Sequence, residues 1–181
     1  MNLEEYLDLY DHAGTPLHRI IRRDDPLDPC PEGAYWRVCD AWIMRPDGAM
    51  LILRRAECKA TYPGLWYCTG GAIQHGESSE QGCLREVQEE LGLALTHRDG
   101  SMLFEYLSTH SIHEVWLFCK DVSLESLTLQ REEVADARFA TMDEILRMEK
   151  EGSFVSIGYL AQFARMLPIY RHIIGKENAT C

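Results

Sequence analysis

The sequence predicts a single domain of the α/β class over residues 1–181. Its length falls within the ~100–200 residues of one ordinary domain. Apolar residues make up 46% of the chain and charged residues 26%, which is typical of a globular protein with its own core. Runs that favour strands are interspersed with segments of helical periodicity, and no internal repeat or interdomain linker separates them.

The first 33 residues are predicted to form an N-terminal extension. Apolar and polar residues alternate over residues 5–11, a turn follows at Gly14, and residues 17–21 favour a second strand, which together indicate a β-hairpin. Three prolines within residues 22–33 forbid a regular central strand. We therefore expect residues 22–33 to form a loop that leads into the main sheet.

The strands of the main sheet are predicted from apolar, β-rich runs. The first two runs flank Asp47-Gly48, a pair that suits the positive φ of a hairpin turn. A short strand is expected near Tyr67. The five longer runs lie at residues 35–44, 49–53, 101–110, 113–122 and 137–140.

Three segments are predicted to be helical. In the first, Ser78 and Gln81 form a capping-box pattern, an apolar stripe follows, and Gly92 suits the position just after the helix. A similar capping pattern at Thr141 opens the second helix. A C-terminal helix is predicted over residues 154–175.

Charge and cysteine content restrict the partners and the compartment. The 18 basic and 29 acidic residues give a net charge of −11, which excludes a surface that binds nucleic acid by counterion release. Seven cysteines, an odd number scattered singly, favour a reducing compartment. With neither a signal peptide nor an apolar run of the ~20 residues needed to span a membrane, the chain is expected to be cytoplasmic, with no membrane partner.

Three carboxylates on the first predicted helix indicate a metal site. Glu86, Glu89 and Glu90 follow i, i+3, i+4 spacing, which places them on one helical face. Their mutual repulsion is costly unless a cation lies nearby, and hard divalent ions such as Mg²⁺ or Mn²⁺ prefer oxygen ligands. Taken alone, three acidic residues on a helix more often form a solvated acidic face than a metal site.

The three glutamates belong to a longer pattern, Gly71-x5-Glu77-x7-Arg85-Glu86-Val87-x-Glu89-Glu90-x-Gly92-Leu93. The pattern resembles the signature of the Nudix hydrolases, and all nine of its defining positions are filled. So many residues at fixed spacing make a chance match improbable. By this resemblance, residues 71–93 are the Nudix box.

The resemblance implies a fold, an activity and a ligand set. The fold is an α/β/α sandwich with a mixed β-sheet. The activity is metal-dependent hydrolysis of a diphosphate bond in a nucleoside-diphosphate-linked or related small metabolite. Carried over by position, the metal ligands are Glu86, Glu89, Glu90 and the carbonyl group of Gly71.

The resemblance also assigns roles to three further residues. Arg85 is expected to orient the carboxylates together with Glu77. Glu133 lies where many Nudix proteins carry an acidic loop, and there it would act as general base or ligate a further metal. For Glu133 a charged surface turn is an equally good interpretation.

The segment before the box resembles the Nudix branch that includes type I isopentenyl diphosphate isomerase. The matching residues are Arg54-Arg55-Ala56-x-x-Lys59-x-x-x-Pro63-Gly64-x-Trp66. In that branch the basic residues lie near the diphosphate, so Arg55 and Lys59 are candidates for binding it. The alternative is that they only solvate a strand end.

Two other functions fit the sequence less well. Isomerase activity uses a Cys-Gly-His segment, but the equivalent stretch here is Gly70-Gly71-Ala72, and Cys68 comes too early in the chain. The position of an isomerase His ligand is occupied by Trp36. A non-catalytic nucleotide sensor has little need of the intact glutamates. The sequence does not identify the substrate, and a homodimer is expected only by analogy with the family.

Overall fold

Nine strands, three α-helices and one short 3₁₀ helix (Leu124–Ser126) are present in the described part of the chain. That part comprises residues 4–23 and 25–177 of the computed structural model, with backbone only over residues 171–177. The strands are β1 (Tyr6–Tyr10), β2 (Pro16–Arg22), β3 (Trp36–Met44), β4 (Met50–Arg55), β5 (Trp66–Tyr67), β6 (Thr69–Ala72), β7 (Gly100–Leu107), β8 (Ser111–Cys119) and β9 (Val134–Ala140). The helices are α1 (Ser79–Leu91), α2 (Met142–Lys150) and α3 (Leu160–Glu177).

The predicted N-terminal hairpin is present. Strands β1 and β2 pair antiparallel as a separate two-stranded sheet. Leu7 and Leu9 on β1 are buried, and they form a small core with Ala72 of β6. The hairpin is therefore packed against the start of the Nudix box, where it contributes to the wall of a cavity.

The other seven strands form one mixed sheet with the order β5-β4-β3-β8-β7. The central pair, β3 and β8, is parallel, whereas the remaining pairs are antiparallel. Two strands complete the sheet outside this path, since β6 pairs with the first half of β3 and β9 pairs with β4. The β3–β4 turn contains Gly48 at φ +90°, as the Asp-Gly pair predicts.

Alternate residues of β3 pack on opposite faces of the sheet. Trp42 faces a core completed by α2 and α3, and Ala41 and Ile43 face a second core completed by α1. Because side chains of a strand alternate in direction, one apolar strand can supply both cores. The result is the α/β/α sandwich that the sequence predicts.

Helix α1 begins and ends where the sequence indicates. The Ser78 hydroxyl accepts a hydrogen bond from the Gln81 backbone N–H, and the Gln81 side chain accepts one from the Ser78 N–H, which completes the capping box. Gly92 ends the helix in the left-handed conformation, at φ +64°. The second capping box, at Thr141 with Glu144, is also present at the start of α2.

Two of the differences from the predicted elements concern a boundary and one concerns an additional strand, and each has an identifiable reason. The C-terminal helix begins at Leu160 instead of residue 154, because Phe154 lies beside Trp66 and its neighbours bond to the β5 backbone. The strand predicted over residues 101–110 ends at Leu107, where Ser108 starts the turn into β8. Strand β6 has no signal in its own sequence, since glycines have low strand propensity and only pairing with β3 orders them.

Among the described residues, no helix has the length and apolar character required to cross a membrane.

Candidate active site

Seven of the eight residues predicted to form the site line one cavity of about 700 Å³, named here the carboxylate cavity. The Nudix helix α1 contributes three glutamates, β6 contributes a glycine, and β4 and the loops after β4 and before β9 contribute the rest. The N-terminal hairpin adds Arg22 and Arg23 to the wall. The seven residues are Arg55, Lys59, Gly71, Glu86, Glu89, Glu90 and Glu133.

The eighth residue, Arg85, organises the carboxylates around this cavity. Its guanidinium donates to both oxygens of Glu77, with Nε–Oε1 at 2.8 Å and Nη2–Oε2 at 3.1 Å. It also donates to Glu86 at 2.8 Å and to Glu89 at 3.1 Å. These partners hold the pKa of Arg85 above its ordinary value against the opposing effect of burial. Arg85 therefore fixes the side chains that the sequence predicts it to orient.

Gly71 leaves room for the Glu86 carboxylate. A methyl group at position 71 would lie 2.3 Å from Glu86 Oε1, closer than two such atoms can approach. Burial raises the pKa of Glu86, although its contact with Arg85 opposes the shift. The close approach explains in steric terms why the first position of the pattern is a glycine.

Glu90 is the most buried of the three glutamates on this face of α1, with 9% of its surface exposed. Burial raises its pKa to about 8, an increase that the hydrogen bond donated by the Thr69 hydroxyl only partly opposes. The negative charges of Glu86 and Glu133 act in the same direction as burial. In the absence of a cation, burial therefore favours the protonated form of Glu90.

The oxygen ligands that the box offers suit a hard divalent cation, although the glutamate side chains face other partners in this structure. Within residues 4–23 and 25–177, no three His, Cys, Asp or Glu side chains converge closely enough to hold a metal as they stand. Glu86 and Glu89 face Arg85, and Glu90 faces Thr69. The ligands available from the box are all oxygen atoms, which Mg²⁺ and Mn²⁺ prefer, and partly buried carboxylates gain from a nearby cation.

The cationic residues lie on the same cavity. Lys59 forms an ion pair with Glu133, which directly precedes β9. Arg55, at the end of β4, donates to the Thr61 carbonyl at 2.9 Å and contributes no ion pair to the described structure. The cavity thus contains both carboxylates and the cations that a diphosphate would require.

A second cavity of about 870 Å³, named here the polar cavity, lies next to the first. The two share Arg23, Arg55 and Gly70 as lining residues. The rest of the lining of the polar cavity is mixed. Tyrosines, histidines and hydroxyl side chains come mainly from β8, the β7–β8 turn and the segment before α3, and the apolar side chains are those of Trp36, Val38, Leu107, Val155 and Ile157. Its size is in the range of small-molecule sites.

Beneath the polar cavity lies a buried network that sequence reasoning missed. Asp40 on β3 is fully buried, and its carboxylate accepts hydrogen bonds from Tyr67 at 2.6 Å and Tyr159 at 2.7 Å. Its third partner is His113 Nδ1, at 2.7 Å. The available signal was a lone aspartate within an apolar strand, but its partners lie 27 to 119 positions away in the chain. His113 lies on β8, within the strand that the sequence predicts over residues 113–122.

Comparison with known proteins assigns the family. A model of the NUDIX domain matches residues 34–162. The chain belongs to the Nudix hydrolase family. An uncharacterised Nudix hydrolase of Listeria monocytogenes is 38% identical over 141 residues, which cover 77% of this chain and 82% of that protein. The resemblance inferred from the box is therefore confirmed.

Two further relatives define the structural and evolutionary neighbourhood of this Nudix hydrolase. A crystal structure of DR0079 from Deinococcus radiodurans superimposes with a TM-score of 0.72 at 25% identity, covering 89% of this chain and 98% of that one. The isopentenyl-diphosphate Delta-isomerase of Salmonella arizonae is 27% identical over 114 residues, 59% of this chain and 62% of that protein. The fold is thus shared with DR0079, and the isomerase is less similar in sequence than the Listeria protein.

Proposed function

We propose that this Nudix hydrolase cleaves the diphosphate bond of a small metabolite with the help of Mg²⁺ or Mn²⁺. The observation that carries the proposal is the carboxylate cavity, in which three box glutamates and two cationic side chains from a separate segment line the same space. Either set alone would be compatible with a solvated surface. Together they match a phosphate group bridged to a divalent cation.

Glu86, Glu89, Glu90 and the Gly71 carbonyl are the proposed metal ligands. A metal bound there would neutralise phosphate charge and lower the pKa of a coordinated water molecule. Arg85 holds the carboxylates in position, and its fork to Glu77 prevents it from rotating away. Deprotonation of Glu90 is required before it can act as a ligand, so metal binding and proton release are coupled.

Arg55 and Lys59 are proposed to bind the diphosphate, and Glu133 is proposed as the general base. In the absence of substrate, the Lys59 ammonium and the Glu133 carboxylate form an ion pair with each other. A phosphate oxygen that takes the Lys59 ammonium would release the Glu133 carboxylate to accept a proton from the attacking water. The same ion pair thereby links substrate binding to the availability of the base.

Two positions argue against isomerase chemistry at this site. Cys68 is buried in the core on the α2–α3 side of the sheet, and burial raises the pKa of its thiol well above its ordinary value. A buried, protonated thiol cannot exchange protons with a substrate carbon in the cavity. Trp36, at the position of an isomerase His ligand, lines the polar cavity with an indole that offers no metal ligand.

The test is hydrolysis of a panel of diphosphates by the wild type and by Glu89→Gln, in Mg²⁺ or Mn²⁺. The panel comprises nucleotide sugars, ADP-ribose, dinucleotides, nucleoside triphosphates, thiamine diphosphate and isoprenoid diphosphates. We expect metal-dependent cleavage of a preferred compound and a loss of at least about tenfold in Glu89→Gln, because the amide is a neutral and weaker ligand.

Glu80→Gln is the matched control, since Glu80 also lies on α1 but outside the carboxylate cavity. It should retain wild-type turnover. Full metal-dependent turnover in Glu89→Gln would refute the ligand assignment. Dimethylallyl diphosphate formed from its isomer would instead establish isomerase activity, and binding without turnover across the panel would favour a sensor.

A further inference from the structure

The polar cavity contrasts in charge with the rest of the molecule. The chain carries 29 acidic residues against 18 basic ones, yet none of the residues described as lining this cavity is Asp or Glu. Arg23 and Arg55 lie on the wall shared with the carboxylate cavity, and His113 lies on the β8 wall. An acid-free cavity in an acidic protein favours a ligand that is itself anionic.

The buried Asp40 carboxylate holds the His113 ring in one orientation. Asp40 accepts a hydrogen bond from Nδ1, which fixes that nitrogen as the protonated one, and Nε2 lies 3.0 Å from the Ser111 hydroxyl oxygen. Burial opposes protonation of His113, but the hydrogen bond and charge of Asp40 outweigh it and raise its pKa above the ordinary value. The hydroxyl groups of Tyr67 and Tyr159 donate hydrogen bonds to the same Asp40 carboxylate.

This arrangement makes Ser111 a hydrogen-bond donor toward the cavity. When His113 is cationic, Nε2–H donates to the Ser111 oxygen, so the Ser111 proton is free to point at a ligand acceptor. Thr109 and Ser156 add hydroxyl groups to the same lining. The donors of the cavity are therefore backed by the His113 ring, whose positive charge, when the ring is protonated, is offset by the buried Asp40.

We propose that the polar cavity selects substrates that carry a second anionic group at the end remote from the diphosphate, with His113 and Ser111 as the residues that determine this specificity. Asp40 is a positioning residue, since it acts only through His113. The inference rests on the proposed function, because the wall shared through Arg55 and Gly70 places the diphosphate and the second group in adjacent cavities. A phosphate monoester and a carboxylate share this chemistry.

The experiment compares pairs of compounds that differ by one anion. Dephospho-coenzyme A and coenzyme A differ by a phosphate monoester, and UDP-glucose and UDP-glucuronate differ by a carboxylate. Dissociation constants are measured by calorimetry without metal, and KM and kcat are measured with Mg²⁺. In at least one pair we expect the member with the additional anionic group to bind about tenfold more tightly, as one charge-assisted hydrogen bond allows.

His113→Gln keeps a side chain able to donate to Asp40 but removes the charge. We expect it to raise KM for the member with the additional anionic group about tenfold, with kcat and the KM of the member lacking that group changed by less than about twofold. Ser111→Ala removes only the hydroxyl and should reduce the same preference, which keeps the test available if His113→Gln folds poorly. His97→Gln, at an exposed histidine outside both cavities, is the matched control and should keep the wild-type preference.

The outcomes separate the two proposals. A preference in the first pair identifies a phosphate monoester, and a preference in the second identifies a carboxylate. Turnover with no preference in either pair, or a preference unchanged in both His113→Gln and Ser111→Ala, would overturn the inference while leaving diphosphate hydrolysis intact. Preferential binding without turnover of any compound would support the selectivity of the cavity and count against the proposed hydrolysis.

Discussion

Glu90 couples the stability of the metal-free protein to pH. Its pKa is raised from the ordinary 4.5 to about 8 by burial, so the folded chain keeps this proton over a range in which the unfolded chain has lost it. A proton bound only in the folded state makes the free energy of unfolding decrease as pH rises. The contribution of Glu90 is therefore fully present below pH ~4.5 and is lost as pH rises toward ~8.

The size of this change in unfolding free energy follows from the single proton that Glu90 binds. The slope is about 1.4 kcal/mol per pH unit, which gives about 2.7 kcal/mol between pH ~5.5 and ~7.5 as an upper limit for this residue. The raised pKa values of Glu86 and His113 act in the same direction. The informative quantity is therefore the difference between the wild type and Glu90→Gln, in which the titrating proton is removed.

The assay is urea unfolding at the two pH values, in a metal chelator. We expect the wild type to lose clearly more stability at the higher pH than Glu90→Gln does, whereas Glu89→Gln, at the more exposed neighbouring carboxylate, keeps the wild-type dependence. Addition of Mg²⁺ should stabilise the wild type more at the higher pH, because the ligand form of Glu90 is the deprotonated one. Parallel pH dependences in the wild type and Glu90→Gln would refute this account of Glu90.

Three substitutions probe the packing of the site. Gly71→Ala places a methyl group 2.3 Å from the Glu86 carboxylate, a side chain that can move, so we expect at least about tenfold lower turnover with less than about 2 kcal/mol lost in unfolding free energy. In Gly70→Ala the methyl group would lie 2.1 Å from a backbone carbonyl oxygen of β3, so we expect a larger loss of unfolding free energy in urea than for Gly71→Ala. Equal losses in the two variants would contradict this steric argument. Arg85→Lys loses the two-pronged contact with Glu77 and should lower the unfolding free energy by about 1–3 kcal/mol; no change would show that the fork is dispensable.

The local features of this chain could be predicted because each depends on neighbouring residues. The capping box at Ser78, the helix end at Gly92 and the turn at Gly48 all follow from backbone preferences and contacts a few residues apart. The family could be predicted for a related reason, since the box is one continuous segment whose spacing is visible in the sequence. The non-helical segment from Phe154 to the start of α3 could not be predicted, because it is held by pairing with β5, which lies far from it in sequence.

The identity of the side chains available at the site follows from the sequence alone, whereas their surroundings depend on the tertiary structure. Nothing in the order of residues indicates that Glu90 is buried with Thr69 or that Lys59 meets Glu133, 74 positions away. The same holds for Asp40, whose buried carboxylate collects partners from three separate segments. Burial and charge environment depend on contacts between distant segments, and these set the pKa values and the polarity of the two cavities.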